Sequence, residues 1–211
     1  MSKVTDTIKE TASPQKVVGA LMAQFVVFLL LGLAIWYATD RPLARFIEPS
    51  LRFTLLGLAL GGAMIAAAWL LFHLLPRIGE RFIRMQGKTY GFLGDRLSFP
   101  VIVLISIGAG FGEEALFRGG LQTLATDFVG PVGGIAIASA IFAAVHLSKP
   151  PIMAIIFGIG VLFGWIYWAT GSLFIVMMAH AVYDIFALDY LMKEFRRLGI
   201  ATSNDSGAEA S

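Results

Sequence analysis

Cysteine is absent from the 211 residues, and only three histidines are present. The first absence excludes disulfides, thiolate metal sites and cysteine nucleophiles. Charge is nearly as scarce: 14% of residues are Asp, Glu, Lys or Arg, against about 25% in an average water-soluble domain. No basic patch interleaved with aromatics occurs, so nucleic-acid binding is set aside. The HExxH pattern of zinc peptidases is missing, and no serine or threonine lies where a nucleophile–base pair is evident. An internal repeat of the kind that marks many transporters is also lacking.

What fills the chain instead is apolar. Hydrophobic residues make up 57% and the mean hydropathy is +0.79, the composition of a polytopic membrane protein. About 20 apolar residues suffice to cross a bilayer. On that criterion the sequence predicts an all-α transmembrane bundle of six spans: Val17–Ala38, Phe53–Leu75, Phe99–Phe128, Val132–Leu147, Ile152–Ala169 and Leu173–Leu191. Residues 1–16 form a polar leading segment without a signal-peptide pattern. Residues 17–192 form a single transmembrane domain, and Lys193–Ser211 reads as a disordered polar tail.

Local signals refine this outline. Gly57-x-x-x-Gly61 offers a small-residue face for close helix packing. A tilt or a break is expected in the long third span near Gly108, Gly110 and Gly112, and Gly130-Pro131 turns it into the fourth. The connection from Pro76 to Arg96 carries Arg77, Arg81, Arg84, Lys88 and Arg96, interleaved with Ile78, Phe82, Ile83 and Met85. That alternation reads as an amphipathic helix on the membrane surface and as an anchor for anionic lipid. Six spans put both termini on one side. That side holds twelve Lys and Arg against three (Arg41, Arg45 and Arg52) on the other, so both termini are expected in the cytoplasm. The expected location is the plasma membrane of a bacterium.

The third span also holds charges that a lipid-embedded helix avoids. Glu113, Glu114 and Arg118 lie within six residues, and each costs at least about 2.5–3.5 kcal/mol at mid-membrane. Glu114 and Arg118 are spaced i,i+4 with the acid first, the favourable order for a helix ion pair. That pairing leaves Glu113 over. In a hairpin turning at Gly130, Glu113 and His146 fall at the same depth, roughly 22 Å from the turn. His180 and Asp184 share one face of the sixth span, and Phe142 shares a face with His146. A buried carboxylate beside a neutral imidazole suits general-base activation of water, with the second imidazole opposite to stabilise an oxyanion or bind a metal.

The ordered motifs Glu113-Glu114-x-x-Phe117-Arg118, Phe142-x-x-x-His146 and Thr170-Gly171-Ser172-Leu173 with His180-x-x-x-Asp184 resemble those of the CPBP family. This family comprises the CAAX prenyl endopeptidases and their bacteriocin-processing and immunity relatives. The resemblance covers roughly residues 99–191 and implies an intramembrane endopeptidase. It implies that Glu113 and His146 activate water and that His180 and Asp184 hold the oxyanion, with Glu114, Arg118 and Phe142 in support. It further implies a peptide or protein substrate, prenylated in some members, and leaves open a divalent metal such as zinc on Glu113, His146, His180 and Asp184. One departure is visible. Eukaryotic prenyl proteases have asparagine at the position of Asp184, whose ionised form would repel an oxyanion. The rival expectations are a proton- or cation-coupled transporter using the same carboxylates and a non-catalytic immunity or scaffold protein.

Overall fold

The computed structural model describes residues 14–91 and 97–200. Among them the chain forms α1 (Pro14–Ala38), a 3₁₀ turn (Leu43–Arg45), α2 (Leu51–Leu74), α3 (Pro76–Tyr90) and α4 (Phe99–Glu114). A π-helical segment (Ala115–Gln122) continues α4 directly, followed by α5 (Thr123–Val145), α6 (Pro150–Thr170) and α7 (Leu173–Arg197). No strand occurs among the described residues. Five helical runs are long and apolar enough to cross a membrane, the third being the 47-residue run Phe99–Val145. The protein is an integral membrane helical bundle.

That 47-residue run is not one rod. Gly130 sits at φ 75°, ψ 172° with Pro131 next to it, a backbone state only glycine adopts freely. The chain doubles back there. Gly134 lies against Thr126, and the rings of Phe117 and Phe142 meet edge to face at 5.0 Å. Residues 99–129 and 131–145 are thus the two limbs of the predicted hairpin, carried within one helical run. A second tight turn is made by Gly171 at φ 66°, closing α6 before α7. Prolines open α3, α4 and α6, where a missing N–H costs nothing. Ser50 caps α2 by accepting from the Phe53 amide at 3.1 Å.

The centre of the bundle is α7, flanked by α2 and α4, and the contacts run through glycines. A Cβ at Gly57 would lie 2.6 Å from the Met178 Cβ and 2.8 Å from the Ile175 carbonyl, and one at Gly61 3.0 Å from the Ala179 carbonyl. The Gly57/Gly61 face therefore does what its spacing predicts. A Cβ at Gly110 would sit 2.7 Å from the Ala181 amide. Gly108 and Gly112 seat Phe25 of α1 in the same way, and Gly32 of α1 lies against the backbone of Ala115. The expected break at Gly108, Gly110 and Gly112 is not there. Those glycines allow close helix contact, and the departure from α geometry comes one turn later, in the π-helical segment.

One further boundary differs from expectation. The last helix runs on through Lys193 to Arg197 rather than ending at Leu191, because Met192 and Phe195 are buried against Ile83 and Leu97. Ion pairs Lys193–Asp189 and Arg197–Glu194 support its solvent side. Residues 1–13 of the polar leading segment and residues 201–211 of the tail lie outside the described residues. The connection 76–96 does contain a surface helix, α3, over residues 76–90.

Gly57 is closed by α7, while Gly62 on the same helix faces open space, with nothing within 4 Å of where a Cβ would stand. The two give a matched pair. Gly57→Val is expected to lower stability by about 1–3 kcal/mol through overpacking, and Gly62→Val to leave it unchanged. Thermal unfolding of both variants in detergent measures the difference.

Candidate active site

The acidic pair ends α4 with both carboxylates inside the bundle. The Glu114 and Arg118 side chains are each 0% exposed, and Arg118 Nε lies 3.2 Å from Glu114 Oε2. Arg118 is held from three other directions. Its Nη2 donates to the Gly160 carbonyl of α6 at 3.2 Å, and its guanidinium carbon stands 4.5 Å from the Phe142 ring centre and 5.9 Å from that of Phe163. Desolvated cation–π contacts of this kind contribute about 2 kcal/mol. Thr123 then donates to the Arg118 carbonyl at 2.8 Å, using an acceptor that the widened π-helical turn exposes. Such π segments recur at functional sites.

Glu114 has a second partner that its position in the sequence does not disclose. Its Oε1 lies 2.8 Å from His180 Nδ1. An ionised carboxylate only accepts, so Nδ1–H donates, and the ring's orientation is fixed from α4. The other ring nitrogen, Nε2, is 3.5 Å from Asp184 Oδ2 and 4.0 Å from Glu113 Oε2. His180 thus stands between three carboxylates, with Phe163 at 5.6 Å against its ring.

His146 caps the C-terminal end of α5. Its Nδ1 donates to the Phe142 carbonyl at 2.7 Å, since a carbonyl only accepts. In the neutral ring this leaves Nε2 as a lone-pair acceptor. The Phe142 and His146 rings lie 4.7 Å apart, edge to face. Glu113, His146, His180, Asp184 and Phe142 line one cavity of about 260 Å³. The structure therefore gathers all of the residues singled out from the sequence: five around this cavity, and Glu114 with Arg118 in the wall behind it. Glu113 and His146 share the cavity, but the hydrogen bond of His146 runs to its own helix. The third histidine, His73, is exposed, stacks on Trp69 at 5.1 Å and faces elsewhere.

Most of the remaining lining is apolar, with an isoleucine wall on α6 (Ile152, Ile155, Ile156 and Ile159). Beside the core residue Ile83, α3 contributes Phe82, Gln86 and Tyr90. The sequence motifs do not single these out, although their i,i+4,i+8 spacing marks one helix face. Tyr90 lies outside the membrane-spanning helices. Its hydroxyl is pushed above the ordinary tyrosine range, first by burial and then by the charges of Glu113 and Asp184, so it stays a proton donor.

As a metal site the donor set is incomplete. Among the described residues no three His, Asp or Glu side chains converge as ligands. His180 Nδ1 is committed to Glu114, and Glu113 and Asp184 flank the far nitrogen rather than a common point. The four residues left open as metal ligands, Glu113, His146, His180 and Asp184, do not converge on one point in this arrangement.

The Glu114–Arg118 pair predicts its own energetics. Arg118→Met leaves a buried carboxylate with one partner fewer and is expected to cost about 3–5 kcal/mol. Adding Glu114→Gln should recover part of that loss. Thermal unfolding of the single and double variants forms the cycle; purely additive losses would mean that the two side chains are not coupled.

Comparison with known proteins bears on this same stretch. Residues 95–186 match the family described as type II CAAX prenyl endopeptidase Rce1-like. A curated relative, the uncharacterized protein YpbD of Bacillus subtilis (strain 168), is 38% identical over 107 residues, which cover 49% of this chain and 52% of that protein. The chain thus spans about half the length of the curated relative it matches. No solved structure matches the chain. The matched stretch opens just before α4 and closes just beyond Asp184, enclosing both glutamates, Arg118 and the two cavity histidines, and it is over this stretch that the chain is similar to the Rce1-like family.

Proposed function

We propose that the protein is an intramembrane endopeptidase that hydrolyses a peptide bond with water as the nucleophile. The observation that carries this reading is the division of labour between adjacent carboxylates. Glu114 is consumed by Arg118 and His180, whereas Glu113 faces the cavity with no basic side chain closer, among the described residues, than the His180 ring at 4.0 Å. A carboxylate left over in an apolar-walled cavity is available as a general base.

In this mechanism water lies between Glu113 and the bare Nε2 of His146, and Glu113 takes its proton as the oxygen attacks the scissile carbonyl. The resulting oxyanion is met by Nε2–H of His180 as an imidazolium among its three carboxylates, the ring held in place through Nδ1–H by Glu114. Asp184, on the far side of that nitrogen, positions the imidazole instead of touching the oxyanion, which accommodates the aspartate. Glu113 then returns the proton to the leaving amine. The isoleucine wall supports an apolar group next to the scissile bond, a hydrophobic side chain or a prenyl chain on a peptide or protein substrate. The charge asymmetry of the loops supports entry from the cytoplasmic side, with both termini there and the chain in a bacterial plasma membrane.

Peptide cleavage by purified protein in detergent, on prenylated and unprenylated peptides and read by mass spectrometry, tests the reading. Glu113→Gln is expected to lower the rate by about 10²–10⁴-fold, the usual contribution of a general base, with an unchanged unfolding temperature. His146→Ala should fall in the same range. Asp184→Asn should retain activity, since an amide still positions His180. Full activity in Glu113→Gln would remove the base, and ion flux in liposomes without cleavage would favour the transporter instead.

A further inference from the structure

Helix α3 presents two opposed faces that the proposed chemistry leaves unexplained. At about 100° per residue, Phe82, Gln86 and Tyr90 span an arc of roughly 80° and line the cavity. Arg77, Arg81 and Arg84 span an arc of roughly 60° on the opposite side, and all three are exposed. Overlapping the edge of the cavity arc and reaching toward the arginines runs a seam that docks the helix. A Cβ at Gly79 would stand 2.9 Å from the Phe72 ring and one at Gly87 2.7 Å from Ile200, with Ile83 in the core between them. On the other flank Ile78 is 57% exposed, with no apolar cover.

The charge on the outer face is largely uncompensated. Glu80 neutralises Arg84 at 2.8 Å, but Arg77 and Arg81 have no acidic partner among the described residues. Arg196 lies on the neighbouring end of α7, where Phe195 packs 3.6 Å from where a Gly87 Cβ would stand, and is likewise exposed and unpaired among them. A helix with an apolar face toward the bundle, an uncovered isoleucine at its edge and a basic face outward has the form that lies in a bilayer interface. Its complement is a surface of negative charge.

We infer that an anionic membrane surface binds the arginine face of α3 and seats the helix, with Phe82, Gln86 and Tyr90, over the cavity, so that lipid charge governs access to the site. Docking is a property of α3 alone, while its effect on access rests on the proposed hydrolysis. Each basic residue near an anionic surface shifts a docking equilibrium by roughly fivefold, so Arg77 and Arg81 together account for about 30-fold.

The lack of native cysteine makes the test direct, because one introduced thiol takes the only label. A nitroxide on Ile78→Cys would be followed by its collisional accessibility to oxygen and to a water-soluble relaxant. The protein would be reconstituted in phosphatidylcholine vesicles with and without phosphatidylglycerol, at low and high salt. A label on Gly62→Cys, on the open side of α2, controls for global change. The expected result is a deeper label at residue 78 in phosphatidylglycerol, reversed by salt, absent in Arg77→Gln/Arg81→Gln, and without change at residue 62. Cleavage measured in the same vesicles should rise with phosphatidylglycerol in the wild type, by up to about the same 30-fold, and not in the double variant.

A label that ignores lipid charge while peptide is cut overturns the inference and leaves an acidic soluble protein as the occupant of the arginine face. A label that responds while cleavage stays constant across lipids overturns the coupling to access. A label that responds in a protein that cuts no peptide upholds docking and counts against the endopeptidase reading instead.

Discussion

A carboxylate with no exposure to solvent is the constraint on which the rest of this bundle depends. Burying Glu114 costs several kcal/mol, and only well-placed partners return it. Here one comes from the next helical turn and the other from α7, through Arg118 and His180. Arg118 must in turn be satisfied, and it reaches the Gly160 carbonyl of α6 and the Phe142 face on the returning limb of the hairpin. One buried charge therefore fixes the relative register of α4, both limbs around Gly130, α6 and α7. The cavity residues are held as a consequence, since Phe142 and His180 belong to the same set of contacts.

Close packing makes those distances attainable. The glycines at 57, 61 and 110 bring α2 and α4 onto the backbone of α7, which is why His180 can reach a carboxylate on a neighbouring helix at 2.8 Å. In lipid there is no hydrophobic force between helices, and small residues together with polar contacts take its place. The π-helical segment belongs to the same solution. Its wider turn frees the Arg118 carbonyl for Thr123, and Thr123 accepts in turn from the Tyr167 hydroxyl at 3.2 Å.

The parts of this site that follow from periodicity are legible in the sequence. The i,i+4 relation of Glu114 to Arg118 needs only a helix, and the matched depth of Glu113 and His146 needs only a turn at Gly130. The amphipathic alternation between Pro76 and Tyr90 likewise suffices to predict a surface helix. What escapes depends on which faces meet. That Glu114 rather than Glu113 holds His180 Nδ1, and that Arg118 lies on Phe142, are decided by helix rotation, which no spacing within one helix encodes. The charges past Leu191 resemble a tail, and the burial of Phe195 among them is a tertiary fact. Glycines at 108, 110 and 112 suggest a break because glycine serves both flexibility and close approach, and only the neighbours distinguish the two.

The hairpin at Gly130 has unequal limbs. The returning one, residues 131–145, measures about 22 Å at 1.5 Å per residue, short of the roughly 30 Å of hydrocarbon in a bilayer. The turn that follows it, with Leu147 at φ 46° and the exposed Lys149, begins at His146 itself, which caps the limb. A lysine and a non-helical backbone are poorly suited to hydrocarbon and call for water or protein cover. His146 therefore stands at the limb end where a hydrated backbone would meet the cavity, and under the proposed hydrolysis the shortness of this limb shortens the path of water to the reacting atoms.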